Sequence, residues 1–172
     1  YGCRVKGNYQ RLLKGLEGGW FVPVGNCQNR RTLLHDADAA AAIATAITNE
    51  AAAGQVLNVS DGEIHTLERI IEAISAGLGR MPPRLRLPAK LARTVAAASE
   101  GLVACAGLSS PLTRGAVDRL LEDVAVDGRR IQGVLGFRPR YNLDDGWQQT
   151  IDGIRQQRSG FQESQRSDFD EA

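Results

Sequence analysis

The stretch RRTLLHDADAAAAIATAI, from Arg30 to Ile47, constrains this chain more than any other. A short run with strand character and a basic start passes directly into an alanine-rich segment opened by Asp36 and Asp38. Carboxylates in the first helical turn sit against the positive end of the helix dipole, so the pattern predicts a strand turning immediately into a helix. Alanine with Ile43 and Ile47 predicts a helix packed closely on several sides.

Helical periodicity recurs on both sides of this unit. Tyr9, Leu12, Leu13 and Leu16 share one face, and Gly18 and Gly19 end that helix. Leu67, Ile70, Ile71, Ile74 and Leu78 mark a second amphipathic helix, with Thr66 as N-cap and Gly79 as its stop. Asn142 caps a third, in which Leu143, Trp147, Ile151 and Ile154 align; Trp147 therefore belongs to the core. Between these lie predicted short strands: FVPV after Trp20, RRTLLH, VLNVS before the SDGE turn, and DVAVD at 123–127. Pro82, Pro83 and Pro88 exclude a central strand from PRLRLP, and a long Ala/Leu helix follows it. Asp127 caps a helix carrying Ile131, Val134 and Leu135, which ends at Gly136 with Phe137 packing back. From Ser159 the composition turns polar and glutamine-rich, predicting a disordered tail over 159–172 behind a folded lobe of residues 1–158.

Composition narrows the classes of partner. The chain of 172 residues is 42% hydrophobic and 24% charged, enough for a sizeable core, and its net charge of +1 gives no reason to expect nucleic acid or an anionic membrane. Arg129, Arg130, Arg138 and Arg140 cluster, but Asp123, Asp127, Asp144 and Asp145 flank them, as on an ion-paired surface. Cys3, Cys27 and Cys105 are odd in number and lack metal-ligand spacing, which fits a reducing cytoplasm better than a disulfide framework. No apolar run reaches membrane-spanning length; the longest candidate, Leu91 to Leu108, is interrupted by Arg93, Ser99 and Glu100.

Five segments stand in one collinear order: YGCRVKGN, RRTLLHDADAA, GQVLNVSDGEIHTLERIIEAI, LP, and VAVDGRRIQGVLGFRPRYNLDDGWQQTI. Together they resemble the C-terminal half of the NAD-dependent epimerase/dehydratase family, the extended short-chain dehydrogenases, and especially its UDP-hexose 4-epimerase-like members of polysaccharide synthesis. The resemblance implies an α/β fold: the C-terminal portion of a Rossmann-like protein, with short strands, several helices and the nucleotide-binding half missing. Tyr1 and Gly2 match the end of a segment usually reading Tyr-Gly-Pro, with Cys3 in place of the proline. Family members carry a glycine-rich dinucleotide loop and a Tyr-x-x-x-Lys pair ahead of this point. Gly18, Gly19, Gly77 and Gly79 follow helical patterns instead, and Val5, Leu13 and Asp145 stand four residues after Tyr1, Tyr9 and Tyr141. The expectation is a substrate-binding lobe without catalytic residues of its own. NAD would be bound mainly by the missing half, and the complete protein could form a homodimer.

The same resemblance implies four substrate-binding residues. Arg31 matches an arginine that contacts the substrate diphosphate, for which a guanidinium fork is well suited. Its alternative is a strand-end arginine paired with Asp36 or Asp38. Arg119 lies near a second diphosphate-binding arginine, or simply pairs with Asp123. Lys6 and Asn8 match the segment that wraps nucleotide and substrate; Asn8 could equally cap the following helix. His35 with Asp36 and Asp38 reads as a helix start rather than a metal site. Trp20, in GGWFVPVG, could anchor a loop near the substrate, and Cys27 has no base beside it. A non-catalytic nucleotide-sugar or protein-binding relative of the same fold is the alternative function.

Overall fold

The apolar faces of three helices meet on one indole. In the computed structural model, which describes residues 1–105 and 114–170, Trp147 is fully buried at the junction of α1 (Gly7–Gly18), α3 (Leu67–Gly77) and α7 (Leu143–Asp170). Leu12, Leu13 and Leu16 come from α1, Ile70, Ile71 and Ile74 from α3, and Leu143 and Ile151 from α7, as the periodicity predicts. Tyr1 stacks on Trp147 at 4.7 Å and meets His35 edge-on at 5.3 Å. The tyrosine ring lies over Gly146, where any side chain would collide with its hydroxyl.

Two smaller clusters flank this core. Ala42 of α2 (Asp36–Thr48) packs with Ile131 and Leu135 of α6 (Arg129–Leu135) and with Phe137. Ala92 and Ala96 of α4 (Ala89–Cys105) pack with Val117 of α5 (Arg114–Leu121), under Val24 and Leu87. Thr66 accepts a hydrogen bond from the Arg69 amide, Asn142 accepts one from Asp145, and Gly19 and Gly136 close their helices in the left-handed region, as predicted, whereas the N-cap of α6 is Gly128 and not Asp127, which accepts the Arg129 amide from one residue further out at 2.9 Å.

Strand content is lower than the sequence predicts. Of RRTLLH only β1 (Arg30–Arg31) is a strand, paired antiparallel with β2 (His65–Thr66) so that Arg30 faces Thr66 and Arg31 faces His65. FVPV and DVAVD are reduced to single parallel bridges, Val24 to Leu87 and Arg31 to Val124. VLNVS forms no strand; it meets no paired backbone among the described residues, and a strand exists only through a neighbour's hydrogen bonds. The α2 helix also departs from expectation: only Asp38 and Ala42 are buried, while Ile43 and Ile47 are 63% and 79% exposed. Alanine tolerates either environment, so composition did not reveal that α2 is covered on one side alone. The backbone of α7 stays helical past Ser159 to Asp170, where the composition predicts a tail without order. Gln, Glu and Arg are good helix formers, and Arg158 anchors this stretch to Glu17 of α1 at 2.6 Å.

Asp38 ties α2 to the entry of α7. Its carboxylate is 1% exposed and accepts the amides of Arg140, at 3.1 Å, and Tyr141, at 3.0 Å. Replacing Asp38 with Ala leaves both partly buried hydrogen bonds without their acceptor. Urea unfolding of the D38A chain should show a loss of about 1–3 kcal/mol, and an unchanged midpoint would refute the clamp.

Candidate functional site

Arg31 occupies the centre of a narrow backbone ladder. On one side β1 pairs with β2; on the other, the Val124 amide donates to the Arg30 carbonyl at 2.8 Å and the Thr32 amide donates to the Val124 carbonyl at 3.2 Å. Asp123 accepts the Arg30 amide at 2.6 Å, and Thr32 Oγ1 accepts the Val126 amide at 3.2 Å. The segment after α5 is therefore stitched to the strand that carries Arg31. Arg119 precedes this segment on α5, and its side chain lies outside the described residues. Asp123, the other partner considered for Arg119, is engaged by the strand backbone.

Arg31 is half-buried, and its charge reaches the Tyr9 phenol on α1. Burial pushes that phenol up from its ordinary pKa, and the Arg31 charge opposes the rise. Tyr9 belongs to the first turn of α1. Lys6 and Asn8 stand at that turn, both exposed. Lys6 holds the N-cap position with no side-chain hydrogen bond, and Asn8 is already inside the helix, so the capping role considered for Asn8 is not realised.

The carboxylates near Arg31 in sequence have other tasks. Asp38 serves the clamp described above, and Asp36 accepts its neighbouring amide, Ala37, at 2.8 Å. His35 caps α2 by accepting the same amide at Nδ1, and burial lowers its pKa despite the nearby Asp36. Among the described residues no cluster of three or more His, Cys, Asp or Glu could hold a metal ion. Trp20 is exposed and lies against Gly15 and Gly18, on α1, while Cys27 is buried with its thiol pKa raised by desolvation.

A pair that sequence reasoning missed lies directly behind Arg31. His65, opposite Arg31 in the ladder, shares a hydrogen bond of 2.6 Å with Asp61, and both side chains are buried. The Asp61 amide donates to the Leu33 carbonyl at 2.8 Å, fixing the SDGE turn to the strand. The available signal was the Asp-x-x-x-His spacing in SDGEIH, but only the turn brings the carboxylate and the imidazole together. The Asp61 hydrogen bond, reinforced by its charge and that of Glu63, raises the His65 pKa against burial and Arg69.

Protein-family models give no match to this chain. The UDP-glucose 4-epimerase of Vibrio cholerae is 28% identical over 159 residues, 91% of this chain and 44% of that protein. The N-acetyl-alpha-D-glucosaminyl-diphospho-ditrans,octacis-undecaprenol 4-epimerase of Escherichia coli O157:H7 is 23% identical over 151 residues, 88% of this chain and 45% of its own length. The crystal structure of the UDP-glucuronic acid 4-epimerase from Bacillus cereus, in complex with UDP-glucuronic acid and NAD, superposes with a TM-score of 0.61 at 18% identity, covering 91% of this chain and 42% of that one. The fold is that of a portion of the Rossmann-like extended short-chain dehydrogenases. More particularly, the chain resembles UDP-hexose 4-epimerases, as its collinear motifs imply, and spans less than half the length of the curated relatives it matches.

Protonated His65 stabilises the folded ladder, because its pKa in the fold lies above the ordinary 6.5. That contribution is complete below 6.5 and fades as pH rises through the raised value. His35, with a lowered pKa, acts oppositely: its contribution is present above 6.5 and fades as pH falls. The His65→Gln chain should therefore be less stable than the parent near about pH 6, with the gap narrowing toward about pH 9 in urea midpoints. A gap independent of pH would contradict this assignment.

Proposed function

We propose that this chain is the C-terminal, substrate-binding portion of an NAD-dependent nucleotide-sugar epimerase or dehydratase. Arg31 carries the reading: a half-buried arginine on a strand tied down along both edges. Arginine forks favour phosphate oxygens, and a fixed strand spares the entropy of ordering the side chain's base on binding. Arg31 and Arg119 would hold the diphosphate, and Lys6 and Asn8 would close over the nucleotide from α1.

The residues present do not fit a dinucleotide. β1 passes into α2 through Thr32, Leu33, Leu34 and His35, without a glycine to let a pyrophosphate approach the helix. NAD binding and the Tyr-x-x-x-Lys pair are accordingly assigned to a preceding Rossmann lobe, and this chain alone would lack epimerase activity. Its own contribution is to bind and orient the nucleotide-sugar, so that remote binding energy positions the hexose. Among the described residues no helix is long and apolar enough to cross a membrane, and Cys3 and Cys27 are free thiols; on this reading the protein would work in the cytoplasm, with homodimerisation left to the whole molecule.

Titration of the labelled full chain with UDP-glucose should produce saturable amide shifts at Asn8, Tyr9 and Arg31, whereas NAD should produce none. Arg31→Ala should weaken UDP-glucose binding about tenfold or more. Shifts that avoid Arg31, or an affinity unchanged in R31A, would overturn the site.

The exposed face of α2 fits the same reading, since Ile43 and Ile47 form an apolar stripe suited to a covering lobe. Left uncovered, it should drive self-association of the isolated chain. Sedimentation should show that association reduced in the Ile43→Glu/Ile47→Glu double variant; a parent chain that is monomeric at high concentration would argue against a buried role for α2.

A further inference from the structure

Several of the exposed large apolar side chains gather along one band. Residues 20–25 and 81–87 are two extended segments lying side by side: the Leu87 amide donates to the Pro23 carbonyl at 2.8 Å, and the Gly25 amide donates to the Leu87 carbonyl at 2.9 Å. At their other end, Met81 and Pro83 share a cavity wall with Gly19 and Phe21, next to Trp20. Along these segments Trp20, Met81 and Leu85 are 68%, 76% and 80% exposed. The α4 helix follows directly, with Leu91 and Val95 exposed one turn apart while Ala92 and Ala96 are buried in the cluster of Val117.

The charge of this band is one-sided, which the total of +1 conceals. Residues 79–98 hold Arg80, Arg84, Arg86, Lys90 and Arg93, and no acid. Glu68 takes Arg86 and Asp118 takes Arg93, but Arg84 and Lys90 are exposed and make no ion pair among the described residues. Glu17, the carboxylate whose pKa responds to Arg80, is held by Arg158 at 2.6 Å. Cations and apolar residues also alternate at adjacent positions, as Arg80 with Met81, Arg84 with Leu85, and Lys90 with Leu91. A protein-binding face gathers its apolar groups at the centre and sends charge to the rim. Interleaving suits a lipid headgroup layer instead, where apolar tips enter the acyl boundary and long cationic stems reach back to phosphates. An exposed tryptophan belongs at that boundary too, having an apolar body and a polar N–H. Pro82, Pro83 and Pro88 restrict the segment, so little conformational freedom remains to be lost on docking.

We infer that this band docks the protein on the surface of an anionic lipid bilayer, with Trp20, Met81 and Leu85 entering the headgroup boundary and Arg84 and Lys90 on lipid phosphates. The chain lies on the membrane without crossing it, and so few inserted side chains make the contact reversible. The inference does not rest on the nucleotide-sugar reading, because it uses none of the residues assigned to that site. It is equally separate from the Ile43 and Ile47 face of α2.

The chain provides its own probe: it has two tryptophans, and Trp147 is fully buried, so a change in emission on adding vesicles reports Trp20. Vesicles of equal parts phosphatidylglycerol and phosphatidylcholine should float the full chain and shift its emission to the blue, and pure phosphatidylcholine should do neither. The Arg84→Glu/Lys90→Glu chain should partition about tenfold or more weakly with an unchanged amide spectrum, as should the Met81→Ser/Leu85→Ser chain. No flotation, equal partition onto phosphatidylcholine alone, or an affinity unchanged in R84E/K90E would each overturn the proposal. So would binding that is lost in the Ile43→Glu/Ile47→Glu chain and retained in M81S/L85S, which would move the contact to α2. Sedimentation without vesicles covers the other occupant: association of copies abolished by M81S/L85S would assign the band to a second copy of the chain and overturn the lipid reading.

Discussion

Burial of Trp147 is the interaction on which the other contacts rest. A tryptophan withdraws on the order of 200 Å² from water, worth about 5 kcal/mol by area, and this one lies in the cluster shared by α1, α3 and α7. Tyr1 stacks on one face of the indole and Tyr9 of α1 approaches at 6.0 Å. Through Tyr1 the ring system continues to His35 and then to Tyr141, 4.3 Å away, linking the start of α2 to the entry of α7. The close approach of α3 and α7 depends on a small residue as well, since a side chain at Gly77 would press on Ile151.

That core places the candidate site without contributing to it. The first turn of α1 is held by Leu12, Leu13 and Leu16 against α3, while the N-terminus of α3 is held by the loop before β1. Cys27, with φ of 56°, turns that loop so that its carbonyl accepts the Glu68 amide at 2.9 Å, and Asn29 accepts the Leu67 amide at 3.0 Å. β1 therefore leaves a fixed corner, and the Arg31 backbone runs between β2 and the Val124 segment. A flexible arginine becomes useful for recognition when its backbone has no freedom left to lose. Ion pairs at the periphery, such as Arg129 with Asp127 and Arg69 with Asp144, are exposed and add little.

Much of this was legible from residue spacing. The apolar faces of α1, α3 and α7, the caps at Thr66 and Asn142, and the glycine stop at Gly136 follow from contacts within one or two helical turns. Arg31 stood out as a candidate because a basic residue opens a strand in a familiar order of segments. The His65–Asp61 pair did not, because neither residue departs from what an exposed turn would contain.

The sequence by itself determined the apolar helical faces and several of the caps, and the resemblance to UDP-hexose 4-epimerases, since each is written in local periodicity or in the order of short segments. Only the tertiary structure decided which extended segments pair. Strand hydrogen bonds join residues far apart, as Arg30 to Val124, and a segment such as VLNVS stays unpaired where no neighbour meets it. The fate of Asp38 was decided in the same way. Local rules make it one of two carboxylates at a helix start, but the amides of Arg140 and Tyr141 converge on it across the fold, and its burial turns a dipole partner into a clamp.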